Sequence, residues 1–251
     1  MSGGQYDRAL TVFSPDGHLF QAEYAMEAVK RGAAAVGVRG KSAVIFALEK
    51  FERKKLQDSR TVKKVGILDT HLALAYAGLS ADARVLLNKA RVECQNFRMR
   101  MDAPCPVEFI ARYVAGIQQK YTQSGGARPF GISTLIAGFD PDSSPHLFVT
   151  DPAGTATEWK ATAIGRNGNI VREYLEKEYK QNLEIADAID LALKSLLEVI
   201  DMGSKNLEVC VLETNQPLRI LDDAEITACL QRVEIIKKQE EEAKKRKILE
   251  D

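Results

Sequence analysis

The chain is poor in the residues that common catalytic devices need. It has three histidines, four cysteines and one tryptophan in 251 residues. It contains no G-x-S-x-G elbow, no H-E-x-x-H pair, no P-loop and no G-x-G-x-x-G turn. A Ser-His-Asp or Cys-His device needs a histidine beside its nucleophile. His18 follows a turn, and His71 and His146 lie at strand starts, so all three read as surface or strand-edge residues. Cys94, Cys105, Cys210 and Cys229 form no C-x-x-C pair, which argues against a zinc site, and no metal site is expected. Cys94 and Cys210 sit in apolar-periodic segments and read as buried free thiols, and the chain reads as a reduced, intracellular protein.

Charge of one sign is also missing. Lys+Arg and Asp+Glu are equal at 35 each. A zero balance gives no global pull toward nucleic acid or an anionic membrane, and it suits life inside an assembly. No run reaches about 18 consecutive apolar residues, so no membrane helix is expected. MSGGQYDRAL has no apolar core of the kind a signal peptide carries. No Pro/Gly/Ser-rich linker and no solenoid-length repeat divides the chain, which reads as one domain with terminal extensions.

What is present is a clear order of elements. Ser14-Pro15-Asp16-Gly17 has turn chemistry at every position. From Leu19, apolar residues recur at helical spacing to Val29; Lys30 and Arg31 suit the C-terminal end of that helix, and Gly32 follows as C′. AAAVGVRG and SAVIFALE read as a hairpin, as do VGILD and LALAYAG. Two helices follow, one from a Ser80 N-cap and one over roughly 106–123. ISTLIAGFD, HLFVTD and GTATEWKA read as three strands. Helices near 166–180 and 184–201, a strand pair from LEVCVLE and PLRIL, and a charged helix from Asp222 complete the chain. Clustered strands and paired helices predict antiparallel sheets covered by helices, not βαβ alternation.

Gly165-Arg166-Asn167-Gly168 opens a helix and reads as a plain loop more than as an anion site. Trp159 reads as a packing residue. In Arg128-Pro129-Phe130-Gly131, Phe130 is expected to plug the core edge and Arg128 to pair across an interface. The tail basic cluster, residues 244–247, resembles a nuclear-import signal; a solvated helix face is an equal reading.

YDRALTVFSPDGHLFQAEYAMEAVKRG resembles the N-terminal signature of alpha-type subunits of the 20S proteasome. The likeness runs on through GLSADARVL, YTQSGGARPFGIS, TDPAGT and WKATAIG, over nearly the whole chain. It implies an α+β fold, the four-layer αββα sandwich of N-terminal-nucleophile hydrolases, with two antiparallel sheets between helix layers. It divides the chain into an N-terminal gating segment and outer helix (1–32), a sandwich core (33–221) and a charged C-terminal helix (222–251).

Active relatives begin at a free threonine, whose own α-amine serves as base. The resemblance puts Ala33 at that place, with Glu49 and Lys64 roughly where relatives keep an acidic residue and a lysine. No catalytic residue and no cofactor is therefore expected. Tyr6, Asp7, Pro15 and Tyr24 match the cluster that holds the axial gate open in relatives, and Arg8 is a candidate tether to a neighbouring carboxylate. Taken alone, Tyr24 reads as packing on its helix.

Lys64 matches the pocket lysine that attracts an activator's C-terminal carboxylate, with Gly32 lining the same pocket. Lys63 competes for that role, since strand alternation turns only one of the two to a given face. The implied partners are other alpha subunits in a seven-membered ring, beta-ring subunits, and regulatory-particle ATPases and other activators, in cytoplasm and nucleus. Two other readings are weaker. An autoprocessed hydrolase needs Thr, Ser or Cys at the domain start, where Ala33-Ala34-Ala35 stand. A nucleic-acid or membrane binder is opposed by the EEE beside KKRK in the tail.

Overall fold

The computed structural model describes residues 11–50, 56, 63–200 and 207–250, with side chains up to 236 in the last helix. The elements are α1 (Phe20–Lys30), β1 (Ala35–Arg39), β2 (Ala43–Glu49), β3 (Val65–Asp69), β4 (Leu72–Gly78), α2 (Ser80–Met101), α3 (Val107–Gln123), β5 (Ile132–Phe139), β6 (Pro145–Thr150), β7 (Ala156–Glu158), β8 (Ala161–Ile164), α4 (Gly168–Glu178), α5 (Ile185–Leu196), β9 (Leu207–Glu213), β10 (Arg219–Ile220) and α6 (Asp223–Glu250).

Among the described residues the strands form two five-stranded sheets, in the orders β10-β9-β2-β1-β8 and β3-β4-β5-β6-β7. Their pairings are antiparallel throughout. Period-2 alternation explains the layering. In β2, Ala43, Ile45 and Ala47 pack toward α4, α5 and the start of α6, while Val44, Phe46 and Leu48 face the other sheet. In β4, Leu72, Leu74 and Tyr76 pack toward α2 and α3, while Ala73, Ala75 and Ala77 face inward. Large side chains of one sheet thus meet alanines of the other, and both strands read as continuous apolar runs because both faces are covered. The result is the expected αββα sandwich.

Three local expectations change. Ser80 is the first helical residue of α2, not its cap; extended Leu79 holds the cap position, with no side-chain cap bond. The run GTATEWKA is two strands in two sheets. β7 pairs with β6, β8 pairs with β1, and Trp159-Lys160 joins them. The joint is tied to both sides, by Trp159 N–H to Leu147 O at 2.8 Å and Arg39 N–H to Lys160 O at 2.8 Å. The helix after Glu184 ends at Leu196, not near 201. All four cysteines are free and buried.

Candidate functional site

The site lies at the end of the sandwich where β1 begins. Gly32 leaves α1 there, and its neighbours are backbone. A Cβ on Gly32 would sit 2.3 Å from Gly78 N, and one on Gly165 would sit 2.7 Å from Ala33 O. Gly32 takes the C′ place predicted for it, but its φ is not left-handed; it is glycine because β4 passes against it. Gly165, with φ of +87°, turns the chain so that Arg166 N–H reaches Gly32 O at 2.8 Å.

Ala33, Ala34 and Ala35 are all buried here. Glu49, the last residue of β2, braces their backbone. Glu49 N–H donates to Ala34 O at 2.9 Å, and Ala34 N–H donates to Glu49 Oε2 at 2.9 Å. The other carboxylate oxygen, Oε1, forms an ion pair with Arg166. Arg166 therefore anchors a carboxylate, and the plain-loop reading of residues 165–168 missed that role.

Lys64 stands just before β3 and is only 3% exposed, whereas Lys63 is exposed. The bend leading into β3 turns Lys64 inward and leaves Lys63 outside, and Tyr76 O–H fixes it by donating to Lys63 O at 3.1 Å. Burial pushes the Lys64 ammonium down to about 8. Glu49 and Glu208 oppose that shift, and Arg166 adds to it. Glu208, on β9, is itself buried and lies 4.0 Å from Lys50 Nζ. Its signal in the sequence was one charged residue inside the doubly buried strand LEVCVLE. The site is a buried ammonium with two carboxylates around a backbone corner, and the side chains at 33–35 are methyl groups.

A family described as "Proteasome subunit" matches residues 29–212, and the N-terminal signature of A-type proteasome subunits matches residues 6–28. The chain belongs to the proteasome subunit family. The alpha type-7-B proteasome subunit of Arabidopsis thaliana is 58% identical over 243 residues, which cover 96% of this chain and 97% of that protein. The alpha type-7-like subunit of Macaca fascicularis is 53% identical, over 97% of each. The alpha type-7 subunit of Dictyostelium discoideum is 52% identical, over 98% of each. The chain is thus an alpha-type proteasome subunit, similar over nearly its full length to type-7 members, and it assembles with other proteasome subunits. Alpha-type subunits are non-catalytic members of that complex. Among the described residues no helix is long and apolar enough to cross a membrane.

Of the residues matched to the alpha-type gate, Tyr6, Asp7 and Arg8 lie outside the described residues, as do the side chains of the tail cluster 244–247. Pro15 sits in the expected turn. Gly17 N–H donates to Ser14 O at 2.9 Å, and Gly17 adopts φ of +81°. Ser14 Oγ accepts His18 N–H at 3.0 Å, which locks the entry to α1. Tyr24 stacks on Phe20 with ring centroids 6.4 Å apart, and half of its surface stays exposed.

Arg128 corrects the expectation that it pairs across an interface. Both of its terminal nitrogens donate to Asp82 within the chain, at 2.7 and 2.8 Å. Asp82 also accepts Gly131 N–H at 3.0 Å, so the first turn of α2 is clamped to the strand-entry loop. Phe130 fills the core edge as expected, 4.6 Å from the Tyr121 ring.

Proposed function

We propose that this subunit is a non-catalytic wall, gate and docking element of the heteroheptameric outer ring of the 20S core particle. It serves ubiquitin-dependent and ubiquitin-independent protein degradation in cytoplasm and nucleus. The observation that carries the reading is the corner at Ala33. An acidic residue and a buried lysine surround it, yet no hydroxyl, thiol or free amine is available where a nucleophile would stand. Segment 1–32 then serves the axial gate through Tyr6, Asp7, Arg8, Pro15 and Tyr24. Residues 33–221 form the wall, and 222–251 an outer charged helix.

Lys64, with Gly32 beside it, forms this subunit's half of a pocket for an activator's C-terminal carboxylate. Its burial supports the charge part of that reading, since an ammonium in a low-dielectric site attracts a carboxylate more strongly than one in water. The test is Lys64→Ala in the assembled particle, with peptidase activity measured with and without a tail-dependent activator. Weakened stimulation with intact ring assembly is expected. Normal stimulation removes Lys64 from the docking role.

The exposed face of α2 supports subunit contacts. Val85, Val92 and Met99 recur at seven-residue intervals and are 43%, 61% and 78% exposed. A period-7 apolar stripe on one helix is the pattern that packs against a second helix.

A further inference from the structure

The chain carries acids and bases in equal number, yet one cleft in its surface is walled by bases alone. The cleft lies between β3 and α2 and has a volume of about 660 Å³. That size falls in the range of small-molecule sites. Its charged walls are Lys63, Arg84 and Arg91, and among the described residues no carboxylate lines it. Lys64 is not one of its walls, and neither are Val85, Val92 and Met99. The cleft is therefore separate from the buried ammonium and from the apolar stripe of α2.

The backbone sets this up. Gly66 lets α2 lie directly on β3, since a Cβ there would run into Leu87. The close approach brings one side of the helix to the sheet edge. Arg84 and Arg91 are seven residues apart, two turns of helix, so they stand roughly 10 Å apart along that side. Arg91 is preset, because its Nε donates to Ile67 O at 2.7 Å; its two terminal nitrogens take no partner among the described residues. Lys63 and Arg84 are exposed and form no ion pair there. The start of α2 adds backbone donors. Ser80 and Ala81 line the cleft, no side chain caps them, and the bonds of the first turn begin at Asp82 N–H.

Three like charges held around one cleft repel each other, and an anion of several charges relieves that repulsion. A single carboxylate answers one of them. Two phosphate groups carry roughly three to four negative charges, and the arginine fork matches their oxygens. We propose that this cleft binds a small organic polyphosphate. One phosphate lies by Arg84 and the start of α2, and a second by Arg91. Lys63 faces them from the strand side, and the carbon body rests on Val65, Tyr76 and Leu87. The site does not depend on the docking role of Lys64.

The test uses the assembled particle with inositol hexakisphosphate as the probe, read by hydrogen exchange of the α2 amides. The probe is expected to slow exchange over residues 80–91 in wild type, and less so as salt is raised. Lys63 and Arg84 are exposed, so Lys63→Gln and Arg84→Gln are expected to assemble normally by native mass spectrometry. Each should need at least about 10-fold more probe for the same protection, because it loses a charge-assisted contact. Arg84→Lys keeps the charge without the fork and should fall between wild type and Arg84→Gln. Three results overturn the proposal: no protection at 80–91, equal protection in all the variants, or equal protection by a glutamate-rich peptide of matched charge. The last would assign the cleft to an acidic protein segment.

Discussion

At the residue scale, Lys64 has the clearest energetic signature. Its folded-state value lies below that of an unfolded lysine, so the unfolded chain binds more protons between about pH 8 and pH 10. Burial of the charged form therefore subtracts stability below about pH 8, and that penalty fades as pH rises toward the unfolded value. Wild type is expected to gain up to roughly 3 kcal/mol over this window relative to Lys64→Met, read from denaturant unfolding at successive pH values. Parallel curves for the two proteins mean that the ammonium is solvated in the native state. Alternation allowed only one of Lys63 and Lys64 on a given face, and only the resemblance to the alpha-type register pointed to Lys64. The engagement of Glu49 with Arg166 was not legible, since those residues are 117 positions apart and meet only when β2 and β8 enter one sheet.

At the element scale, α2 is fixed by its first turn. Asp82 is nearly buried and takes two bonds from Arg128 and one from Gly131, which hold its carboxyl below the usual range. Its contribution is complete above the ordinary carboxylate pKa and is lost as pH falls through the depressed one. Asp82→Ala is expected to cost roughly 2–3 kcal/mol at neutral pH, because it removes a charged acceptor and leaves the Gly131 N–H unpaired. The variant should also show a shallower loss of stability below about pH 4. A loss under 0.5 kcal/mol by chemical denaturation would place the clamp outside the folding energetics.

Helices were legible at this scale where the apolar period was long, as in α2 and α3. GTATEWKA was not legible as two strands. Both halves have strand chemistry, and the partners that separate them, β6 and β1, are distant from each other in sequence. Arg128 misled for a related reason. An arginine before proline shows no intrachain partner until α2 brings Asp82 beside it.

At the scale of the whole molecule, one of the four edge strands among the described residues, β3, lies beside α2. That edge is managed by the helix. Arg91 Nε donates to Ile67 O at 2.7 Å, and Arg98 holds Asp69 at 2.7 Å. Both arginines immediately precede members of the apolar stripe, Val92 and Met99, so one helix guards a sheet edge and offers a packing surface. The double variant Val92→Glu, Met99→Glu is expected to fold, with an unchanged far-ultraviolet dichroism spectrum, and to be missing from the assembled particle by native mass spectrometry. Normal incorporation would free the stripe from any assembly role.

The joint between the sheets holds the chain's single tryptophan. Trp159 is 37% exposed, and its indole N–H donates to Thr157 Oγ1 at 2.8 Å. Intrinsic emission excited in the indole band therefore arises from one position, between the last strand of one sheet and the last of the other. An optical trace of unfolding thus records when this joint lets go, with no label attached, whichever of the two sheets releases it first.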